Sequence, residues 1–366
     1  MMRRALAVAA QTRQWMHALA ALAVVAAVAV SAAAQSVPVD PPARAPEAQK
    51  RNLYERIVVI GASASDGFGV FIDPAEPSAA KDAAAMPANA DTQKPRRAPP
   101  VSTSLAAILR QAGAPSTPPA SNAGATTAVP TLPTIRHFTS GFFFANPGPV
   151  ARSEVDRAID AQPSLVLALD YLFWFAYGTV NAEGEPMRDG AQRMENLERG
   201  LQQLQRIIDA GAPIVLGDIP DMRDSIGRML SKAQVPSVET IDQSNERIRA
   251  WVRERPSTRL LPLSQIQAGL RGRKPVNLGG REWVSTDEVP LMQRDQLHPT
   301  FVGTVAIASA LIDTARAFDS DAPATFRFDP SELRSKILES KRNGKREAAE
   351  ATPPLPPVKE SSPSTP

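Results

Sequence analysis

The sequence contains no cysteine and only 3 histidines among its 366 residues. The missing cysteine excludes a disulfide-stapled fold, a thiolate metal site and a cysteine nucleophile. The chain has 41 basic and 38 acidic residues, and Arg3, Arg4 and Arg13 are the only charged residues before position 35. Beyond that segment the two signs balance. The chain therefore lacks the basic surplus that attracts phosphate, and we expect no nucleic-acid partner.

The N-terminal arginines precede an apolar segment at residues 18–34, composed mainly of alanine, valine and leucine. A basic flank, a short apolar stretch and small residues before Gln35 are typical of a secretory signal. We predict a signal peptide at residues 1–34 and an exported protein, periplasmic or secreted. The alternative is an uncleaved N-terminal anchor, because the apolar segment lies at the lower length limit for spanning a bilayer.

Proline is abundant, with 35 residues, and most of it lies in three segments. We predict a proline-rich leader at residues 35–52, a proline- and alanine-rich insertion at about 74–130, and a C-terminal extension at 321–366 with a disordered tail. Inside the insertion, residues 103–112 have apolar side chains at helical spacing. The rest, residues 53–320, forms the predicted domain. Whether the insertion closes over a site as a lid stays open.

Short apolar runs alternate with helical patterns along this domain, as in α/β proteins. Strand-like runs lie at residues 56–60, 134–138, 164–169, 213–217 and 259–263. Helical patterns lie at residues 103–112, 151–161, 189–210, 238–254 and 300–318. We expect a parallel sheet with helices on both faces. Ligands of such sheets bind beyond the carboxyl ends of the strands, so we expect the functional residues there.

Small residues follow the first strand, in the order Gly61-Ala62-Ser63-Ala64-Ser65-Asp66-Gly67. Ser63 lies where its hydroxyl is free to project from the strand end, as a nucleophile requires. A small-residue turn that only serves packing is the alternative interpretation. The glycine spacing does not match a dinucleotide site, and no Gly-Lys-Ser/Thr ending follows, so we expect no nucleotide cofactor.

A second motif, Asp295-Gln296-Leu297-His298-Pro299, precedes the last apolar helix. A serine nucleophile needs a base, and a histidine base needs a partner that sets its tautomer and orientation. Asp295, three residues before His298, is spaced to orient the imidazole from one side and leave the other nitrogen for the serine. The alternative is that Asp295 caps the helix and His298 is solvated.

Together the two motifs resemble the SGNH (GDSL-type) hydrolase superfamily, over about residues 55–318. The resemblance implies a three-layer α/β/α sandwich with a flavodoxin-like, five-stranded parallel sheet. It also implies an esterase or acyl hydrolase in which Ser63 is the nucleophile, His298 the base and Asp295 its orienting carboxylate. The implied substrate is a carboxylic ester of a lipid or an acetylated glycan, and no cofactor is implied.

Two departures separate the chain from the family pattern. Ala62 replaces the usual aspartate before the serine. The family builds its oxyanion hole from the serine N–H, a glycine that Gly141 matches, and an asparagine whose place Asp170 takes. Asp170 could be protonated, or face elsewhere while Asn146 or Asn181 donates, or order a loop. The site could also be impaired, which gives the alternative function: an envelope protein that binds glycan or lipid without hydrolysis.

Two further groups of residues have side chains that could bind a ligand. The aromatic run at residues 171–177, with the phenylalanines at 142–144, lines either a pocket or the core. Asp218, Asp221 and Asp224 follow the fourth strand without a histidine nearby, so we expect a surface loop rather than a metal site. Association with the cell envelope and the oligomeric state stay open.

Overall fold

The computed structural model describes residues 52–74, 98–114, 133–318 and 326–350. The predicted signal peptide and nearly all of the proline-rich leader lie outside the described residues. Most of the predicted insertion and the end of the tail also lie outside them. Within the described residues, no helix combines the length and the apolar composition that crossing a bilayer requires.

A five-stranded parallel sheet forms the centre of the fold. Its strands are β1 Arg56–Gly61, β2 Thr134–Thr139, β3 Leu165–Ala168, β4 Ile214–Gly217 and β5 Thr258–Leu261. They are arranged in the order β2-β1-β3-β4-β5, which is the flavodoxin-like order. β1 therefore lies beside both β2 and β3, and the carboxyl ends of these three strands meet at one edge.

Nine helices are assigned in the described residues. They are α1 Ser63–Asp66, α2 Leu105–Ala112, α3 Pro147–Asp160, α4 Phe173–Ala176, α5 Gly190–Asp209, α6 Val238–Arg253, α7 Leu263–Arg271, α8 Phe301–Ala315 and α9 Pro330–Glu350. Short 3₁₀ turns lie at Phe143–Ala145, Arg223–Ser225 and Lys232–Gln234. Two antiparallel ladders pair Phe71–Ile72 with Val101–Ser102 and Val276–Leu278 with Arg281–Trp283.

The helices cover the two faces of the sheet, because side chains along a strand point alternately to opposite sides. In β1, Ile57 and Val59 pack with α2, α7, α8 and α9, whereas Val58 and Ile60 pack with α3, α5 and α6. Strands with both faces buried explain the continuous apolar runs in the sequence. The predicted flavodoxin-like three-layer sandwich is confirmed.

Four helices were not predicted: the one-turn helices α1 and α4, and the longer α7 and α9. α7 begins at Leu263, which the sequence pattern had assigned to the end of the fifth strand. α9 continues to Glu350, through residues interpreted as an unpacked spacer from Lys341 onward. Its apolar side is narrow, but Leu333 and Ile337 are buried in the core. The helical spacing at residues 103–112, inside the predicted insertion, corresponds to α2, whose apolar side is buried in the same core.

Candidate active site

The site begins at the turn that leads from β1 into α1. Gly61 ends the strand with a φ of +145°. A Cβ at this position would lie 2.4 Å from Asp170 Oδ1 and 2.6 Å from Ser65 Oγ. Both the backbone angle and the lack of space therefore require glycine here. The close approach lets Asp170, which follows β3 in the chain, reach the turn that carries Ser63.

The carboxylate of Asp170 orders this turn. It accepts hydrogen bonds from the N–H groups of Ala62 at 2.9 Å, Ala64 at 2.8 Å and Ser65 at 3.4 Å, and from Ser65 Oγ at 2.5 Å. The N–H groups on both sides of Ser63 are thus bound, whereas the Ser63 N–H donates to no acceptor among the described residues. Asp170 therefore supports the backbone around Ser63 and is not itself an amide-like donor.

Burial affects the ionisation of Asp170. Burial raises the pKa of this carboxyl above its ordinary value, and the hydrogen bonds from Ser65 and from the N–H groups of Ala64 and Ala62 oppose that rise. These groups are all donors, so they stabilise the ionised carboxylate. This geometry matches the loop-ordering interpretation of Asp170. The role of Asp170 in an oxyanion hole stays a prediction.

The structure brings Ser63, His298 and Asp295 together in one hydrogen-bonded chain. Ser63 Oγ lies 2.8 Å from His298 Nε2, and His298 Nδ1 lies 2.7 Å from Asp295 Oδ2. An ionised carboxylate only accepts, so Nδ1 carries the proton and Nε2 accepts from the serine hydroxyl. Only 2% of the His298 side chain is exposed. This arrangement is the geometry that an activated serine requires.

Asp295 stays ionised in this arrangement. Burial alone would raise the pKa of its carboxyl, but hydrogen bonds from the His298 side chain and from the N–H groups of His298 and Leu297 lower it below the ordinary value. Gln296, between them, has a φ of +59°, a left-handed conformation that folds the chain tightly. This turn lets Asp295 Oδ1 accept from Leu297 N–H at 2.9 Å and His298 N–H at 3.0 Å.

Two residues that sequence reasoning did not identify hold the histidine loop against the serine turn. The Phe68 ring lies 4.8 Å from the His298 ring, between centroids. Gln293 Nε2 donates to Phe68 O and to Pro299 O, each at 2.9 Å. The two motifs, more than two hundred residues apart in the chain, are therefore joined by the Gln293 side chain and the Phe68 ring as well as by the Ser63–His298 hydrogen bond.

The other predicted oxyanion donors lie in different surroundings. Gly141 follows β2, and a Cβ there would lie 3.4 Å from Asp66 Oδ2. Its N–H donates to no acceptor among the described residues. Asn146 is exposed, and Asn181 Oδ1 accepts the N–H groups of Glu183 and Glu185 in a turn of its own. Neither asparagine lines the cleft beside Ser63.

A second buried acid, Glu154 on α3, lies under the same turn. Its Oε2 accepts the Gly61 N–H at 2.9 Å, and its Oε1 is buried without a partner in the described structure. Burial raises the pKa of Glu154 to about 9, and the neighbouring charge of Asp170 adds to the rise. Glu154 is therefore protonated at neutral pH. In the sequence, Glu154 lies at helical spacing from Ala151 and Ala158, which are on the buried side of α3. This spacing was the signal that could have indicated a buried glutamate.

A narrow cleft opens beside Ser63, with about 20 Å³ of free volume inside it and about 360 Å³ when the adjoining open space is included. Its walls are mostly apolar, with side chains from Leu169, Phe173, Met222, Leu263 and Leu297. The wall at Met222 is fixed, since Tyr177 Oη donates to Pro220 O and accepts from Met222 N–H, both at 2.9 Å. A larger hollow of about 800 Å³, beside Arg56, lies at the opposite, amino-terminal end of β1.

The remaining candidates are structural in their contacts. The aromatic run at 171–177 is buried in the core, and Phe173 is its only member that lines the cleft. Asp218 accepts from the N–H and hydroxyl of Ser264, while Asp221 and Asp224 pair with Arg223 and Arg271, respectively. Within the part of the chain that the structure describes, no cluster of three or more histidine or acidic side chains is placed to bind a metal.

Comparisons with known proteins identify no family model and no curated sequence that matches the chain. A solved structure of a gut microbial diltiazem-metabolizing enzyme is 15% identical, with a TM-score of 0.38, over 71% of this chain and 46% of that one. This chain thus spans less than half of that enzyme. The psychrotrophic esterase EstA from Pseudoalteromonas sp., in a structure inhibited by monoethylphosphonate, is 11% identical, with a TM-score of 0.36, over 72% of this chain and 98% of that one. Solved structures similar to this chain therefore include enzymes, one of them an esterase.

We predict that Asp170→Asn destabilises the protein. The asparagine amide has only one acceptor oxygen, and its NH₂ group would face backbone N–H donors that need an acceptor. The variant therefore loses hydrogen bonds to a charged group, and each such loss costs about 1.5–3 kcal/mol. Urea denaturation should show a free energy of unfolding lower by about 2–4 kcal/mol. The exposed Asp160→Asn serves as the control and should change little. Unchanged stability in Asp170→Asn would contradict the assigned contacts.

We predict that Glu154→Gln flattens the pH dependence of stability. The folded protein retains the Glu154 proton up to a pKa of about 9, whereas the ordinary value is 4.5. The contribution of protonated Glu154 to the free energy of unfolding is therefore complete at low pH. It decreases as the pH rises through this window, by at most about 1.4 kcal/mol per pH unit. In urea denaturation between about pH 5 and about pH 8, the advantage of the variant over wild type should grow with pH.

The exposed Glu195→Gln on α5 is the matched control for this experiment, and its stability relative to wild type should not vary with pH. A constant difference between Glu154→Gln and wild type across the same range would show that Glu154 ionises normally in the folded protein.

Proposed function

We propose that the protein is an exported serine esterase of the SGNH type, which cleaves a carboxylic ester of a lipid or an acetylated glycan. The observation that carries this proposal is the hydrogen-bonded chain Ser63–His298–Asp295, with distances of 2.8 Å and 2.7 Å. It lies at the carboxyl edge of the sheet, beside a mostly apolar cleft. Parallel α/β folds bind their ligands at this edge.

The proposed first step forms an acyl-enzyme. His298 Nε2 takes the Ser63 proton as Oγ attacks the ester carbonyl carbon, and Asp295 stabilises the imidazolium that results. When the tetrahedral intermediate collapses, the C–O bond to the alcohol breaks and His298 returns the proton to the departing alcohol. In the second step water attacks the acyl group, with His298 again as base, and releases the acid and free Ser63.

The tetrahedral intermediate needs donors for its oxyanion. The Ser63 N–H is the first candidate, because both neighbouring amides are bound to Asp170 and this one is not. The Gly141 N–H is the second, following the family pattern. A lost oxyanion-hole donor typically lowers turnover about 10²–10³-fold. Because Asp170 accepts hydrogen bonds where the family's asparagine would donate one, we expect turnover slower than that of an enzyme with three donors.

One observation favours a second function. Asp170 stands in the place of the family's asparagine and its carboxylate is committed to backbone N–H groups. If the two backbone donors do not suffice, the same fold and cleft would bind glycan or lipid in the cell envelope without hydrolysis. The two functions differ in one property, which is turnover at Ser63.

Export is part of the proposal and depends on residues 1–34, whose basic and apolar pattern is typical of a signal peptide. The mass of the chain purified from the cell envelope distinguishes cleavage after Ala34 from an uncleaved anchor.

We predict that wild type hydrolyses p-nitrophenyl acetate or butyrate and that Ser63→Ala abolishes this activity. Asp295→Asn should lower kcat by about 10⁴, because the imidazole then loses its correct tautomer. Ser335→Ala, an exposed serine on α9, is the matched control and should retain wild-type kcat/KM. Folded wild type without activity on either ester would favour the non-hydrolytic binding function.

A further inference from the structure

The cleft beside Ser63 contains one polar side chain that is not part of the Ser63–His298–Asp295 arrangement and whose acceptor oxygen forms no hydrogen bond within the described structure. Gln267 on α7 is only 3% exposed, and it lines the same cleft as Ser63 and His298. Its Oε1 is buried and has no hydrogen-bond partner in the described structure. A buried acceptor left without a partner is costly, so its presence in a binding cleft indicates a ligand group that satisfies it.

The position of Gln267 is fixed by the fold. α7 follows β5 directly, and Ser264 in its first turn donates from both N–H and hydroxyl to Asp218, at 2.6 Å and 2.8 Å. Leu263 and Ile266 on the same helix are buried in the core. The amide is therefore presented from a rigid element, as a residue that selects a substrate requires.

The surroundings of Gln267 define the chemistry of its partner. The other cleft walls are apolar side chains, including Leu169, Phe173 and Met222. Among the described residues that line the cleft there is no lysine or arginine to pair with an ionised carboxylate, and Asp170 is directed to backbone N–H groups. A neutral group that donates a hydrogen bond fits this site, and a hydroxyl both donates and accepts, as an amide side chain does.

We propose that Gln267 is a specificity-determining residue that selects esters carrying a hydroxyl group over alkyl esters of the same shape. This inference rests on the proposed esterase function for the reaction, but the binding preference stands on the cleft alone. The hydroxyl donates to Gln267 Oε1 while the rest of the substrate fills the apolar walls. An alkyl group in its place leaves the amide oxygen buried and unpaired, and discrimination follows from that loss.

Matched esters test the proposal. For a hydroxyl on the acyl side, ethyl 3-hydroxybutyrate is compared with ethyl 3-methylbutyrate, and for one on the alcohol side, 2-hydroxyethyl butyrate with propyl butyrate. In each pair a hydroxyl replaces a methyl group. Wild type should show kcat/KM higher by about tenfold or more for the hydroxyl ester of at least one pair, by acid release at constant pH. The pair that shows the preference identifies the side of the ester that contacts Gln267.

Two variants isolate the residue. Gln267→Met keeps the length of the side chain and removes the amide, so the preference for the hydroxyl ester should fall to about one. Gln265→Met, at an exposed position on the same helix, is the matched control and should keep the wild-type ratio. Equal kcat/KM within both pairs in wild type would overturn the proposal, as would a ratio that persists in Gln267→Met.

A binding measurement separates this inference from the proposed function. In the Ser63→Ala background, calorimetry with the same four esters should show tighter binding of the hydroxyl ester, and Gln267→Met should remove the difference. If wild type hydrolyses none of the esters but this binding preference is found, the esterase proposal fails and the role of Gln267 stands. If the esters are hydrolysed without any preference in rate or binding, the role of Gln267 fails and the esterase proposal stands.

Discussion

The site depends on a buried carboxylate that replaces water around the turn after β1. Asp170 accepts the N–H groups on both sides of Ser63, and it reaches them because Gly61 has no side chain in the way. Glu154, on α3, accepts the Gly61 N–H. Buried backbone donors need partners, and here two acids supply them. The turn is thereby held with the Ser63 hydroxyl directed at His298 and the Ser63 N–H available.

This arrangement connects the fold to the proposed chemistry. The flavodoxin-like order places β1 between β2 and β3, so the nucleophile turn lies beside the residues that follow both neighbours. The histidine loop reaches the same edge from the end of the domain, and Phe68 and Gln293 join it to the turn. Ser63 Oγ and His298 Nε2 thus approach to 2.8 Å, and Gln267 adds a further polar group to a mostly apolar cleft. A rigid site with few polar groups is suited to selecting small neutral substrates.

Much of this could be predicted from local patterns in the sequence. The five strands were located within two residues of their bounds, because buried parallel strands are short apolar runs between turn residues. Ser63, Asp295 and His298 were selected by motif, and the structure brings them together, while their catalytic roles stay predictions. α9 was missed because few of its side chains are apolar. The contacts of Asp170, Glu154 and Gln267 depend on tertiary neighbours, which no local pattern encodes.

The central claim is that Ser63 is a nucleophile activated by His298, and covalent labelling tests it most directly. The full chain is treated with a fluorophosphonate, and the modified peptide is identified by mass spectrometry. We predict one phosphonyl group on Ser63, with labelling abolished in Ser63→Ala and strongly slowed in Asp295→Asn. Folded wild type that stays unlabelled, or that carries the label on another residue, would contradict the account.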